Sequence, residues 1–283
     1  MICEKIDLYA YFNIKRKSAD CGGYLTVYSR TPINGITAKL RPAMLVIPGG
    51  GYGHVSAREG EPVALRFLTE GFSAFVLEYS INTAYPVPLL EAGMAVAYIK
   101  ENAAKYNVDN RLVAAVGFSA GGHLAGMLAT LFNDNVFSAL GKSVAHVRPD
   151  AVIFSYPVIT MLDGLTHEST RNVISGGGKI DYCKLSIENN ITKNSPPAFI
   201  WHTAEDNSVP AENSFLLASA YKKAGVPFAL HIFEKGGHGL SLSTAETSDG
   251  TQHDLSLAHV GKWVGLALDW LSVHGFKMKN MPD

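Results

Sequence analysis

The sequence predicts an α/β fold, with a mostly parallel sheet of eight strands and helices on both of its faces. Two observations support this prediction. Six short and nearly continuous apolar runs follow Pro42, as is typical of parallel strands buried on both faces; they cover residues 44–47, 74–77, 112–116, 151–154, 199–201 and 229–233. Segments with a helical pattern lie between them, and this alternation is typical of doubly wound sheets.

The remaining strands and the helices complete this architecture. Residues 4–12 and 22–30 alternate between apolar and polar side chains, which predicts two antiparallel strands ahead of the parallel ones. Pro210 and Gly225 flank one helical segment and fit helix start and stop signals. Five helices are predicted in total, over residues 61–70, 89–104, 122–131, 212–223 and 255–273.

One long segment interrupts the alternation of strands and helices. Residues 156–195 are partly polar and contain three consecutive glycines at 176–178. An insertion of this kind between strands is typical of a cap or lid. Because the chain shows no internal repeat and no linker, we expect one domain over residues 1–283 that carries this short cap.

Composition narrows the class of partner and the location. The formal net charge is −1 and no basic cluster is present, so neither nucleic acid nor an anionic membrane is expected as a partner. The three cysteines, Cys3, Cys21 and Cys183, are odd in number and far apart. The first residues contain no continuous hydrophobic stretch such as a secretory signal needs. These features predict a cytoplasmic protein with a small-molecule substrate.

Ser119 lies in a Gly-x-Ser-x-Gly motif, Gly117-Phe118-Ser119-Ala120-Gly121, directly after an apolar run. A strand that turns sharply into a helix at this motif presents the serine hydroxyl above the sheet edge. Ser119 is therefore a candidate nucleophile. The same stretch, residues 112–132, is uncharged and long enough to span a bilayer, but the polar and glycine residues at its centre favour a buried strand followed by a buried helix.

A serine nucleophile needs a histidine to take its proton and an acid to orient that histidine, and in this fold they follow in the order serine, acid, histidine. Asp206 and His238 each follow an apolar run, so both are expected at the same sheet edge as Ser119. Glu205 has the same chemistry as its neighbour. Asp206 is preferred because a turn into a helix follows it, although a simple helix cap at Asp206 is an alternative.

The glycine-rich segment after residue 47 is a candidate oxyanion hole, which is a set of N–H donors for the oxygen that becomes negative during attack on a carbonyl. We assign the donors to Gly50, Gly51 and Ala120, the last being the residue after the nucleophile. The segment contains neither glycine pattern that is typical of phosphate binding. No nucleotide cofactor is expected.

Other polar and aromatic residues are given smaller roles. His123, on the helix after the motif, is expected to pack and hydrogen-bond under the turn. The remaining histidines lack the spacing of metal ligands, so no metal is expected. The candidate pocket residues lie on loops at the carboxyl edge of the sheet, and they are Tyr52, His54, Tyr85 and Tyr156.

Taken together, these segments resemble the α/β-hydrolase esterases, close to the hormone-sensitive-lipase-like group and to bacterial acetyl xylan esterases. The resemblance rests on residues 48–52, 58–64, 117–125, 155–159, 196–206 and 236–240, and so covers most of the chain. One difference is that Pro48 stands where lipases and esterases carry a histidine before the glycines.

The resemblance implies a serine carboxylesterase that cleaves short acyl esters, with acetylated carbohydrates among the substrates, and that needs no cofactor. An amide hydrolase of the arylformamidase type is an alternative, because related enzymes share the motif and the glycine loop. A non-catalytic binding member of the fold is a second alternative. Such members typically lose the nucleophile or the histidine, and this chain has both.

Overall fold

The computed structural model describes residues 1–16, 22–31, 39–141, 144–248 and 255–280, so Cys21 lies outside the described residues. Within these ranges, strands and helices alternate over most of the chain. The strands are β1 (Ile2–Asp7), β2 (Tyr24–Ser29), β3 (Lys39–Ile47), β4 (Ser73–Glu78), β5 (Val108–Phe118), β6 (Ala151–Ser155), β7 (Ala198–Thr203), β8 (Phe228–Phe233) and β9 (Lys279–Asn280).

The first eight strands form one sheet in the order β1-β2-β4-β3-β5-β6-β7-β8. Strands β1 and β2 are antiparallel to their neighbours, whereas β4, β3, β5, β6, β7 and β8 run parallel to one another. The predicted sheet is therefore confirmed. The short β9, which the sequence did not predict, pairs antiparallel with the beginning of β3.

Four of the five predicted helices lie within three residues of their predicted bounds, the last one begins eight residues later than predicted, and several short helices are additional. The helices are α1 (Leu8–Phe12), α2 (Glu61–Thr69), α3 (Val87–Glu101), α4 (Ala120–Thr130), α5 (Val144–Val147), α6 (Glu168–Ile174), α7 (Tyr182–Leu185), α8 (Glu212–Ala224) and α9 (Trp263–Val273). Short 3-10 helices also occur. One of them, Leu255–Lys262, occupies the first part of the segment predicted as a single helix over 255–273.

The first predicted strand, residues 4–12, is wrong in its second half. Strand β1 ends at Asp7, whose carboxylate accepts a hydrogen bond from the Ala10 N–H at 3.0 Å and so caps a short helix. Residues Leu8–Phe12 form that helix, α1. The apolar spacing over these few residues fits either structure, and the cap decides between them.

Both faces of the sheet are covered, which is why the parallel strands are apolar throughout. Alternate residues of β3 contribute to two separate cores, Leu45 and Ile47 to one and Met44 and Val46 to the other. Helices α3, α4 and α8 pack on the first face, and α2 and α9 on the second. Among the described residues, no helix combines the length with the apolar composition that a membrane span requires.

The carboxyl ends of the parallel strands bring distant parts of the chain to one edge. Strands β3 and β5 are neighbours, so the glycine loop after Ile47 lies beside the turn after Phe118. Strands β7 and β8 are also neighbours, and the segments after them carry Asp206 and His238. This edge is where open α/β sheets place their sites.

Candidate active site

Ser119 occupies the sharp turn between β5 and α4, with φ 52° and ψ −117°. Few non-glycine residues adopt such a backbone, and strain of this kind clusters at functional sites. The turn also requires two glycines, because a Cβ at Gly117 would lie 2.3 Å from the Gly121 carbonyl oxygen, and one at Gly121 would lie 2.2 Å from that of Ile47. The elbow is thus held tightly against β3.

Three side chains from three loops form a continuous line of hydrogen bonds. Nε2 of His238 lies 2.8 Å from Oγ of Ser119, and Nδ1 of His238 lies 2.7 Å from Oδ2 of Asp206. The Asp206 side chain is fully buried, while the His238 side chain keeps 22% of its surface exposed. Such a line allows a serine to pass its proton to an oriented imidazole.

The Asp206 carboxylate receives hydrogen bonds at both of its oxygens. Oδ1 accepts from the N–H groups of Ser208 at 3.0 Å and Val209 at 2.9 Å. Burial by itself would raise the pKa of Asp206, but the hydrogen bonds from His202, His238 and the Val209 N–H outweigh it and hold the pKa below its ordinary value. Asp206 therefore both caps the turn and faces the histidine.

Glu205, the neighbouring carboxylate, points elsewhere. Its oxygens accept hydrogen bonds from the Lys235 ammonium at 2.7 Å and from the Gly236 N–H at 3.1 Å. The side chain is largely exposed, at 48%. Of the two candidate acids, the structure brings only Asp206 into contact with His238.

His202 is a further member of this network that the sequence analysis did not assign to it. Its Nε2 lies 2.8 Å from the Val209 carbonyl oxygen and 3.2 Å from Oδ2 of Asp206. Because a carbonyl oxygen can only accept, Nε2 carries a proton, and Nδ1 lies 2.8 Å from the Ser214 hydroxyl. The side chain is fully buried. The available signal was its place at the end of a buried strand, four residues before Asp206.

Three N–H groups are assigned to the oxyanion hole, those of Gly50, Gly51 and Ala120. None of them has a hydrogen-bond acceptor within the described part of the chain. Ala120 is the first residue of α4, whose N-terminal N–H groups have no partner within the helix and carry a partial positive charge. The Gly49 N–H is engaged instead, because it donates to Oε2 of the buried Glu59 at 2.7 Å. The N–H groups proposed as oxyanion donors thus lie in the glycine loop and at the start of α4.

The glycine loop, which has Pro48 in place of a histidine, is held by buried polar contacts. The Tyr79 hydroxyl donates to the Pro48 carbonyl oxygen at 2.9 Å. Nε2 of His123 donates to the Leu185 carbonyl oxygen at 2.7 Å, so Nδ1 accepts from the Tyr52 hydroxyl at 2.9 Å. Burial lowers the pKa of His123 to about 4, which keeps its imidazole neutral. These bonds tie the loop to the residue after β4, to α4 and to the insertion.

Two of the candidate pocket residues do not line a pocket. Tyr52 and Tyr156 have 0% and 1% of their surface exposed, and their hydroxyls make buried hydrogen bonds. The Tyr156 hydroxyl donates to Oε1 of Glu59 at 2.6 Å and accepts from the Ser241 N–H at 2.9 Å, and its ring lies edge-on to His238 at 5.1 Å between centroids. The buried Tyr156 ring therefore packs against His238.

The other two candidate pocket residues differ in exposure. His54 is exposed, on the loop that follows the glycines. Tyr85 is half-buried, and its hydroxyl donates to the Asp134 carboxylate. A role in substrate binding stays a prediction for both residues.

A parallel α/β sheet with a strained serine at the strand–helix turn, and with an acid and a histidine after later strands, defines the α/β-hydrolase class. The chain belongs to the BD-FAE family, because the model of that family matches residues 33–221.

Similar proteins include a xylanase and an acetylxylan esterase. The chain is 41% identical over 217 residues to endo-1,4-beta-xylanase B of Butyrivibrio fibrisolvens, and the match covers 74% of this chain and 34% of that protein. It is 30% identical over 232 residues to an acetylxylan esterase of Xylanibacter ruminicola, covering 78% of this chain and 45% of that protein. The chain therefore spans less than half of the length of these two relatives.

Solved structures of similar size match along almost the whole chain. An acetyl ester-xyloside bifunctional hydrolase from Caldicellulosiruptor lactoaceticus superposes with a TM-score of 0.76 at 36% identity, covering 90% of this chain and 89% of that one. The carboxylesterase Cest-2923 from Lactobacillus plantarum superposes with a TM-score of 0.82 at 28% identity, covering 98% and 99%. The α/β-hydrolase fold is confirmed by these matches.

Proposed function

We propose that this protein is a serine carboxylesterase that hydrolyses short acyl esters, with acetyl groups on carbohydrates among its substrates. The observation that carries the proposal is the line of hydrogen bonds from Ser119 through His238 to Asp206, at 2.8 and 2.7 Å. A serine activated in this way is suited to acyl transfer through a covalent intermediate.

In the first half of the reaction, the acyl group is transferred to the protein. Oγ of Ser119 attacks the ester carbonyl while Nε2 of His238 takes the hydroxyl proton. The carbonyl oxygen becomes negative and accepts hydrogen bonds from the N–H groups of Gly50, Gly51 and Ala120. His238 then gives its proton to the leaving alcohol, and the acyl group stays on Ser119.

In the second half, water replaces the alcohol. His238 takes a proton from the water as it attacks the acyl-serine, the same N–H groups stabilise the second oxyanion, and the acid leaves as the proton returns to Oγ of Ser119. Asp206 stays ionised throughout, because its pKa lies below the ordinary carboxylate value. Its charge stabilises the imidazolium form of His238 in both halves.

The substrate class is supported by the relatives. One of the similar proteins is an acetylxylan esterase and one of the similar structures is an acetyl ester-xyloside bifunctional hydrolase, and both names combine an acetyl ester with a xylose-based compound. A carboxylesterase is a further structural relative. Short esters of polyhydroxy alcohols are therefore the first substrates to test.

The test is hydrolysis of p-nitrophenyl esters from acetate to decanoate, together with acetylated xylo-oligosaccharides. Ser119→Ala should lose activity by several orders of magnitude and keep its fold, because the members of a triad act as a unit. Ser272→Ala, at an exposed position on α9, is the control and should keep the wild-type rate. A Ser119→Ala protein that still cleaves p-nitrophenyl acetate at the wild-type rate would remove Ser119 as the nucleophile.

The same assays separate the alternatives. N-formyl aryl amides, compared with acetyl esters at equal concentration, distinguish an arylformamidase-type enzyme, which would prefer the amide. A fluorophosphonate probe tests for a non-catalytic member of the fold, because such a protein would not be labelled. We expect labelling of the wild-type protein and none of Ser119→Ala.

A further inference from the structure

His167 brings the insertion into contact with the glycine loop. It immediately precedes α6, and Cε1 of its ring lies 3.5 Å from the place where a Cβ on Gly51 would be. Oγ of Ser169 lies 3.4 Å from the same point. The insertion therefore covers the residue whose N–H we assign to the oxyanion, and side chains of α6 and its cap border the space above it.

The hydrogen bonds of His167 fix the position of its ring proton. Nδ1 lies 2.8 Å from Oγ1 of Thr170 and 3.3 Å from Oγ of Ser169. Thr170 is fully buried, and its hydroxyl contacts no other acceptor in the described ranges of the chain. A buried hydroxyl must donate its proton to avoid a large desolvation cost, so Nδ1 of His167 is the acceptor. In the neutral ring the proton then lies on Nε2.

The outer nitrogen of this ring is available. Nε2 of His167 has no hydrogen-bond partner among the residues that the structure describes. Burial lowers the pKa of His167, and the nearby charge of His238 lowers it further, against a smaller opposing effect of Asp206. A neutral imidazole with a free Nε2–H group thus lies beside Gly51 and within electrostatic range of His238.

We propose that His167 is a specificity-determining residue whose Nε2–H donates a hydrogen bond to an oxygen of the alcohol part of the ester. The inference rests on the proposed esterase function. His238 delivers its proton to the leaving alcohol, and His167 lies beside Gly51 and close enough to His238 for their charges to interact, so its Nε2–H group is a donor near the departing alcohol. A sugar offers hydroxyl oxygens next to the ester, whereas a p-nitrophenyl group offers none at that position. The favoured substrates are therefore esters of polyhydroxy alcohols.

The test compares His167→Leu, which removes the donor, with His167→Gln, whose amide N–H2 can replace it. We expect His167→Leu to lower kcat/KM for acetylated xylo-oligosaccharides about tenfold, the effect of one lost hydrogen bond. The value for p-nitrophenyl acetate should change less than about twofold, and His167→Gln should recover part of the loss on the sugar ester. Glu168→Gln, at an exposed neighbouring position, is the control and should match the wild type on both substrates.

The outcomes separate this inference from the proposed function. Equal losses on both substrates, or no loss on either, would overturn the role in alcohol selection while leaving an active esterase. Wild-type protein that cleaves p-nitrophenyl acetate but no sugar ester would overturn it as well. If the wild type cleaves no ester at all, the proposed function itself is wrong. Melting temperatures of both variants, measured alongside, show whether a loss comes from misfolding, and His167→Gln decides the matter if His167→Leu fails to fold.

Discussion

Replacement of Asp206 by asparagine tests the acid in the proposed mechanism. Oδ1 of Asp206 accepts hydrogen bonds from the backbone N–H groups of Ser208 and Val209 at 3.0 and 2.9 Å, so an oxygen is required at that position. The amide nitrogen of the asparagine must then occupy the place of Oδ2, facing His238 at 2.7 Å. An N–H2 group there donates to Nδ1, so the ring proton of His238 moves to Nε2. In that tautomer Nε2 cannot accept the proton of Ser119.

The expected loss follows from this wrong tautomer. The same substitution in a serine protease triad lowers kcat by about 10⁴, which corresponds to about 5.5 kcal/mol of barrier at roughly 1.36 kcal/mol per tenfold change. We expect a loss of about that size for Asp206→Asn. The asparagine N–H2 also meets the N–H of His202, which lies 3.2 Å from Oδ2, so the fold should lose about 1–3 kcal/mol of stability.

The assay is the initial rate of p-nitrophenyl acetate hydrolysis near pH 7, with urea unfolding to measure stability. Glu205→Gln is the matched control, because it makes the same chemical change one residue away on a carboxylate that faces Lys235. It should keep the wild-type rate. The reasoning is refuted if Asp206→Asn stays within tenfold of the wild type, or if Glu205→Gln loses as much activity.

Three further predictions concern stability and its coupling to the site. Gly121→Ala places a Cβ 2.2 Å from a backbone oxygen of β3, so it should lower the free energy of unfolding by about 3 kcal/mol or more. Gly265→Ala, at an exposed helical position with open space, should raise it by about 0.5–1 kcal/mol. Urea unfolding of both variants measures this difference, and equal effects would contradict the prediction. Tyr156→Phe removes the hydroxyl that donates to the buried Glu59 and should cost about 2 kcal/mol together with a measurable fall in kcat; an unchanged melting temperature would show that the bond contributes nothing. The hydrogen-bonded guanidinium of Arg111 lowers the pKa of Asp109 to about 2, against about 3.9 in the unfolded chain. The ionised carboxylate therefore stabilises the fold above about pH 4, and this stabilisation is lost as the pH falls towards about 2. Asp109→Asn should therefore flatten the fall in melting temperature between pH 5 and 2.5, and parallel curves for the two proteins would rule this out.

The sequence predicted the fold and the hydrogen-bonded line of candidate catalytic side chains because both depend on local patterns. Each parallel strand is a short apolar run, and Ser119, Asp206 and His238 each follow one of them. Strand ends meet at one edge, so their position along the chain was enough to place them together. The choice of Asp206 over Glu205 was also local, since it rested on the turn that follows.

The supporting residues could not be predicted, either because their partners are distant in sequence or because the local pattern fits more than one structure. Tyr156 contacts Glu59 across 97 residues, and the contact turns a predicted pocket residue into a buried support. His202 depends on nearby residues, but a histidine at a strand end has no pattern that separates a packed side chain from one that binds an acid. The cap by Asp7 is a similar case, because alternating residues after it suit a strand equally well.

Contacts between distant residues also hold the glycine loop, which lacks the histidine that lipases and esterases carry before the glycines. The loop after β3 needs its N–H groups aimed at one point, and any set of rigid contacts can achieve that. Here the contacts come from Tyr79, from Glu59 and from the Tyr52–His123 pair, all buried and all hydrogen-bonded. A buried network of this kind is costly to disrupt, because loss of one member leaves the others without partners. The proposed nucleophile is therefore specified by its immediate neighbours, whereas the proposed oxyanion donors are positioned by contacts between separate elements of the fold.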